Sequence, residues 1–98
     1  MAIDTLDRLV GQLFFFGFHG RSLDAGFLRH YRRYPAGGFI VFGRNAGGLE
    51  QFRALTAALN DLAGEVRGEA PLLAADQEGG NLSPLRGLVT PLPGNMAL

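Results

Sequence analysis

Three short apolar runs punctuate the chain, and between them apolar residues recur at helical spacing. The runs are residues 13–18 (LFFFGF), 39–42 (FIVF) and 72–75 (LLAA). Runs this short and this uniformly apolar predict strands covered on both faces, as in a parallel sheet. On that reading Phe14, Phe15 and Phe16 belong to the core. Ahead of the first run, Ile3, Leu6, Leu9, Val10 and Leu13 follow a helical period, and Asp4 or Thr5 can cap the helix. Between the first and second runs, Leu23, Phe27, Leu28, Tyr31 and Tyr34 form the apolar face of a second helix. Ser22 or Asp24 caps it, Pro35 stops it, and Arg29, Arg32 and Arg33 fall mainly on its other side. A third helix carries Leu49, Phe52, Leu55, Leu59 and Leu62, and is expected to fray across residues 64–68. The GRNAGG stretch between strand and helix reads as a loop. So does the Pro- and Gly-rich stretch from Asn81 to the end, and long loops in compact domains are usually functional or disordered.

The order strand, helix, strand, helix, strand, with strand starts roughly 30 residues apart, is that of βαβ units. It predicts an α/β fold with a parallel sheet and right-handed crossovers. Three strands fall short of closure, since a barrel needs about eight, and a parallel sheet needs both faces covered. Residues 1–98 therefore read as one segment of a larger α/β protein. Its open sheet edges would also allow self-association.

Ligands of such sheets sit beyond the carboxyl ends of the strands. Asp76 is the first polar residue past the third run. There its carboxylate can accept hydrogen bonds from ligand hydroxyls, bonds roughly twice as strong as those of a neutral acceptor. The alternative is a strand-end Asp that caps the next turn. Gly79 and Gly80 permit a positive φ or a close backbone approach. Glu78 beside them reads first as a partner for loop amides or a basic group. Asp76 and Glu78 together also resemble the paired carboxylates of a glycosidase, though the i, i+2 pair straddles a turn. His19 follows the first strand and could be an acid-base residue, or a loop residue with no partner. Arg44 and Asn45 follow the second strand and could line the same site, or simply close a turn.

Composition narrows the classes. The chain has 98 residues, 47% of them hydrophobic, enough for one small globular unit. Nine basic and nine acidic residues cancel, which argues against a non-specific nucleic-acid binder. Without cysteine there are no disulfides or thiolate metal sites. No stretch approaches the length of a membrane span. The opening MAIDTLD lacks the basic start of a secretory signal, so a cytoplasmic location is expected. No phosphate-binding glycine motif stands between a strand and a helix. That sets aside a nucleotide-binding domain, and neither cofactor nor metal is expected.

Four stretches, VGQLFFFGFHG (10–20), GGFIVFGRN (37–45), LLAADQEGG (72–80) and LPGNMAL (92–98), resemble in order and spacing the start of glycoside hydrolase family 3. The likeness is greatest to its bacterial β-N-acetylhexosaminidase branch, which trims N-acetylglucosamine from cell-wall muropeptides. The resemblance implies about three of the eight βα units of a (β/α)8 barrel, and a retaining enzyme with an Asp nucleophile and a covalent glycosyl intermediate. Asp76 matches the Asp of the family's Asp-x-Glu-Gly-Gly motif, which holds sugar hydroxyls in the −1 subsite. The nucleophile and the acid-base His of the Lys-His-Phe-Pro-Gly-His-Gly region come later in the family's chains. The resemblance therefore implies a carbohydrate partner but assigns no catalytic residue to this segment.

One departure stands out. The family usually continues Glu-Gly-Gly-Arg-Val-x-Arg-Leu, and here Asn81 and Pro84 replace both arginines. Arg86, two places on, is left as the basic residue that would bind the sugar if the loop shifts. The rival from another class is a non-catalytic module that binds sugar or oligomerises.

Overall fold

A computed structural model of the chain describes residues 4–94. Ile3, expected on the first helix, and residues 95–98 of the LPGNMAL stretch lie outside the described residues. The elements run α1 (Thr5–Gly11), β1 (Phe15–Phe16), α2 (Ala25–Arg33), β2 (Gly38–Val41), a 3-10 turn (Gly43–Asn45), α3 (Leu49–Arg67) and β3 (Leu72–Ala75). The strands form one parallel sheet in the order β1-β2-β3, the α/β architecture that the apolar runs predict.

Local chemistry sets the helix starts. Asp4 Oδ1 accepts from the Leu6 amide at 3.0 Å, and Asp24 Oδ1 from the Phe27 amide at 2.7 Å. Each carboxylate satisfies a donor that the first turn leaves free. The third helix does not fray where expected. It runs through Gly64, which is exposed, and stops at Gly68, a left-handed residue with φ 77°. The cost of a mid-helix glycine, about 1 kcal/mol, is outweighed by burial of Leu62, Ala63 and Arg67 around it.

Register sorts the side chains onto two faces. Phe16, Phe39 and Leu73 are cross-strand neighbours, as are Val41 and Ala75. This face receives the helices: Phe39 and Val41 pack in one cluster with Tyr31, Leu55, Leu59, Leu62 and Ala63, flanked by Phe16 and Ala75. Complete burial of a Phe or Leu side chain contributes about 1.5–3 kcal/mol, so β2 is the centre of gravity of the fold. The opposite face carries Phe15, Gly38 and Leu72, then Ile40 and Ala74. Gly38 makes room there for the Phe15 ring, since a Cβ would fall 2.5 Å from Cε1 of that ring.

That opposite face corrects part of the sequence reading. Phe14 and Phe15 are not core: they are 52% and 46% exposed, and Phe16 is only half-buried. Leu72 is 67% exposed although LLAA is a strand as expected. Both strands lie at sheet edges, and no element of the described residues covers the face on which Phe15 and Leu72 stand. The first strand is also shorter than its apolar run. The Leu13 and Phe14 amides still bond back to Val10 and Gly11 of α1, and the Phe18 carbonyl is taken by side chains.

Candidate functional site

Three loops leave the carboxyl ends of the strands side by side, and each starts with a different physical task. The loop after β2 is the most tightly built. Asn45 is fully buried; its Oδ1 accepts from the Phe42 amide at 2.9 Å, and its Nδ2 donates to the carbonyls of Phe18 at 3.1 Å and Gly20 at 2.7 Å. Gln51 adds a second clamp. Its Oε1 accepts from the Gly47 amide, and its Nε2 donates to the Arg21 and Asn45 carbonyls. Asn45 thus closes the turn and does not line an open site. The reason is saturation: its amide is spent on the backbone of two loops.

Arg44, by contrast, is exposed. Its Nε donates to the Phe18 carbonyl at 2.9 Å, and its guanidinium carbon lies 4.6 Å from the centre of the Phe42 ring. His19, in the loop after β1, is exposed too. It borders a shallow cleft of about 260 Å³ shared with Ser22 and Asp24.

The loop after β3 begins with Asp76. It is exposed, and among the described residues no hydrogen bond or ion pair reaches its carboxylate. It follows Leu72 and Ala74 in the alternation of the open face. Glu78 is likewise exposed; its amide, not its carboxylate, is engaged, donating to the Leu82 carbonyl at 2.9 Å. The expected bond from the Glu78 carboxylate to loop amides is not formed among the described residues. The loop is nonetheless ordered by other means. Gln77 Oε1 accepts from the Leu85 amide at 3.1 Å, and Arg86 donates to the Gly80 carbonyl. Gly79 and Gly80 have φ of 82° and 55°. At Gly79 a Cβ would also lie 2.5 Å from the Pro93 carbonyl oxygen, so glycine is required there both by conformation and by space.

The sheet therefore brings Asp76, Glu78, Arg44 and His19 to one end of the strands, withdraws Asn45 into the structure, and turns Arg86 onto the backbone of its own loop. Gln77 and Gln51 hold these loops and were not singled out by the sequence reading. Their signal is faint, a lone amide side chain beside glycine-rich turns. Among the described residues no group of three His, Cys, Asp or Glu side chains could hold a metal ion, and no helix is long and apolar enough to cross a membrane. A groove of about 380 Å³ lies elsewhere, between α1 and α2; it is walled by Leu6, Val10, Phe14 and Phe16, and none of the candidate residues lines it.

Comparison with solved structures gives the same segment in larger proteins. A glycoside hydrolase family 3 β-N-acetylglucosaminidase from Paenibacillus sp. str. FPU-7 matches 97% of this chain at 38% identity with a TM-score of 0.82. A fungal multi-domain family 3 β-N-acetylglucosaminidase matches 95% at 35% identity with a TM-score of 0.83. NagZ from Neisseria gonorrhoeae, in complex with N-trifluoroacetyl-D-glucosamine, matches 84% at 27% identity with a TM-score of 0.71. The chain spans only 18%, 11% and 22% of those proteins, respectively. No family model matches the chain, and no curated protein matches it.

Proposed function

The chain belongs to glycoside hydrolase family 3, and from that premise we propose that it forms the N-terminal part of a barrel and supplies one wall of a sugar-binding subsite in a β-N-acetylhexosaminidase-like enzyme. Asp76 is the residue that carries the reading. It is a carboxylate at the carboxyl end of a parallel strand, exposed and without a protein partner among the described residues. A group in that state is free to accept from the hydroxyls of an N-acetylglucosamine unit. Glu78 and His19 stand at the same rim, available to line it. Arg86 already bonds the Gly80 carbonyl, so it would serve the sugar only after leaving that bond. The process assigned by this reading is recycling of cell-wall sugars in the cytoplasm.

Hydrolysis with retention needs a nucleophile and an acid-base group on either side of one glycosidic bond, with their carboxyl groups about 5–5.5 Å apart in the usual two-carboxylate form. The sequence has no Lys-His-Phe-Pro-Gly-His-Gly region, and among the described residues no second carboxylate is found across the site from Asp76. We therefore expect the isolated chain to bind but not to cleave. Purified chain incubated with an aryl N-acetyl-β-glucosaminide should release no phenol. Turnover that disappears in Asp76→Ala would overturn this expectation. N-Acetylglucosamine-induced NMR shifts centred on residues 76–80, lost in Asp76→Asn, would support the binding role, and shifts unchanged by that substitution would refute it.

One observation favours a second reading, a self-associating module. Leu13, Phe14, Phe15 and Leu72 are all about half exposed or more, and the two edge strands leave backbone groups unpaired. A discrete dimer or larger species by size-exclusion light scattering, dissociated by Leu72→Lys, would favour that reading.

A further inference from the structure

Side chains alternate in exposure at the start of the loop after β3. Asp76 and Glu78 are exposed, Gln77 is half-buried and Gly79 is buried. Successive side chains of an extended chain point to opposite sides, so turning Gln77 inward turns Asp76 and Glu78 outward together. A specific bond holds the inward side. Gln77 Oε1 accepts from the Leu85 amide at 3.1 Å, eight residues on.

The far end of that bond is fixed in its own right. Leu85 packs against the buried core cluster, and its carbonyl accepts from the Leu88 amide at 3.0 Å and the Val89 amide at 3.3 Å. Pro84, just before it, lies over the turn that follows β2, where a Cβ on Gly43 would stand 3.8 Å from the Pro84 carbonyl oxygen. Gln77 therefore ties the end of β3 to a point seated on the core and on the neighbouring loop. Neither flanking carboxylate has a partner of its own among the described residues. A side chain without partners takes its direction from the backbone that carries it, and here Gln77 anchors that backbone.

We propose that Gln77 is a positioning residue for the sugar site, its bond to the Leu85 amide setting the direction in which Asp76 meets the ligand. This deepens the reading of Asp76 as a sugar-binding group and rests on it. Gln77 acts through Asp76 and not on the ligand. It removes the ordering cost that a loosely held carboxylate would incur on binding. The bond uses an acceptor alone, so glutamate can replace glutamine in it and methionine cannot.

The test is an NMR titration of the intact chain with N-acetylglucosamine. Gln77→Met should bind about tenfold more weakly than the unmodified chain, and Gln77→Glu should recover most of that loss; both are checked for folding by circular dichroism. A second readout needs no variant. Sugar and bond favour the same arrangement, so each stabilises the other. Sugar at about ten times its Kd should therefore slow hydrogen exchange of the Leu85 amide about tenfold. A bond that merely held the loop together would exchange at one rate with and without sugar. Exchange at Leu85 unmoved by bound sugar, full affinity in folded Gln77→Met, or Gln77→Glu as weak as Gln77→Met each overturns the role of Gln77. Where Asp76→Asn still abolishes binding, such a result leaves Asp76 standing. Binding undiminished in Asp76→Asn, or none by the unmodified chain, overturns both.

Discussion

At the amino ends of the strands, Arg67 is 1% exposed and its guanidinium donates to the Pro35 carbonyl at 2.6 Å, the Arg8 carbonyl at 3.1 Å and the Glu69 carboxylate at 3.1 Å. At the carboxyl ends, Asp76 and Glu78 stand in solvent, and no hydrogen bond reaches either carboxylate among the described residues. The lower end ties the last turn of α3 to α1 and to the strand entry of β2, and it leaves no room. A Cβ on Gly11 would collide with the Pro35 carbonyl oxygen and would lie 2.7 Å from the Arg67 fork. Tyr31 reinforces the same end, its hydroxyl donating to the Ala36 carbonyl at 2.8 Å. Charge at one end of this sheet is consumed by the protein; at the other it is kept available. The division matches the general separation in barrels of a stabilising bottom face from a ligand-binding top face.

The contrast can be broken most directly at Arg67. Arg67→Ala leaves the buried Pro35 carbonyl without its donor, takes one of two donors from the Arg8 carbonyl and leaves a cavity where the side chain lay, so it should cost about 3 kcal/mol, read as a shift of the urea midpoint. A shift within error would remove the lower end's claim to stability. Asn45→Ala asks whether the upper end is wholly functional. It strips the Phe42 amide and the Gly20 carbonyl of their partners, leaves the Phe18 carbonyl with Arg44 alone, and should cost about 2 kcal/mol; a neutral outcome would mean that the β2 loop needs no internal clamp.

Tyr31→Phe is smaller, about 1 kcal/mol, and it carries a pH signature. Burial raises the Tyr31 phenol above its ordinary 10.0, against the opposing pull of Arg67 and with a further push from Glu69. The folded chain therefore holds the proton more firmly than the unfolded one. That contribution is complete below pH 10 and is lost as pH rises through the folded-state value. The midpoint of the unmodified chain should fall in that alkaline range, and that of Tyr31→Phe should fall less. Parallel declines would contradict the assignment. Asp76→Asn completes the series at the upper end, with a stability change within about 0.5 kcal/mol alongside lost sugar-induced shifts. A large destabilisation would convert Asp76 from a binding group into a structural one.

The surface pair between α2 and α3 should matter least. Arg32 bonds both carboxylate oxygens of Glu65, at 3.0 and 3.2 Å, in full view of solvent. The Arg32 hydrogen bond lowers the Glu65 pKa. Whatever the pair contributes is therefore present at neutral pH and fades as pH falls below the ordinary carboxylate range. Glu65→Gln should leave the urea midpoint unmoved within error, since exposed pairs of this kind contribute little.

Much of the scaffold is legible along the chain because its signals are local. LLAA is bounded by Pro71 and Asp76, and the strand occupies those same four residues. Asp4 and Asp24 announce helix starts that the hydrogen bonds realise. The adjacent Gly79 and Gly80 likewise mark a place for positive φ or close approach, and both adopt positive φ. Arg67 was legible in principle but passed over. It continues the α3 stripe of Leu55, Leu59 and Ala63 at i+4 spacing, a charged residue where an apolar one belongs. The exposure of Phe14 and Phe15 was not legible, because apolar runs report what a sheet face is suited to bury and not which partner covers it.

The sequence by itself determined the element types, the parallel order and the placing of Asp76 just past a strand, since turn residues, caps and apolar periodicity act over a few positions each. Tertiary structure alone decided which polar groups are spent and which remain free. Asn45 and Arg44 are adjacent in the chain, yet one is buried and saturated while the other presents an open fork, because carbonyls of Phe18 and Gly20 from a distant loop reach the first and leave most of the second unclaimed. Hydrogen bonds between loops are fixed by three-dimensional register, and no local pattern encodes them.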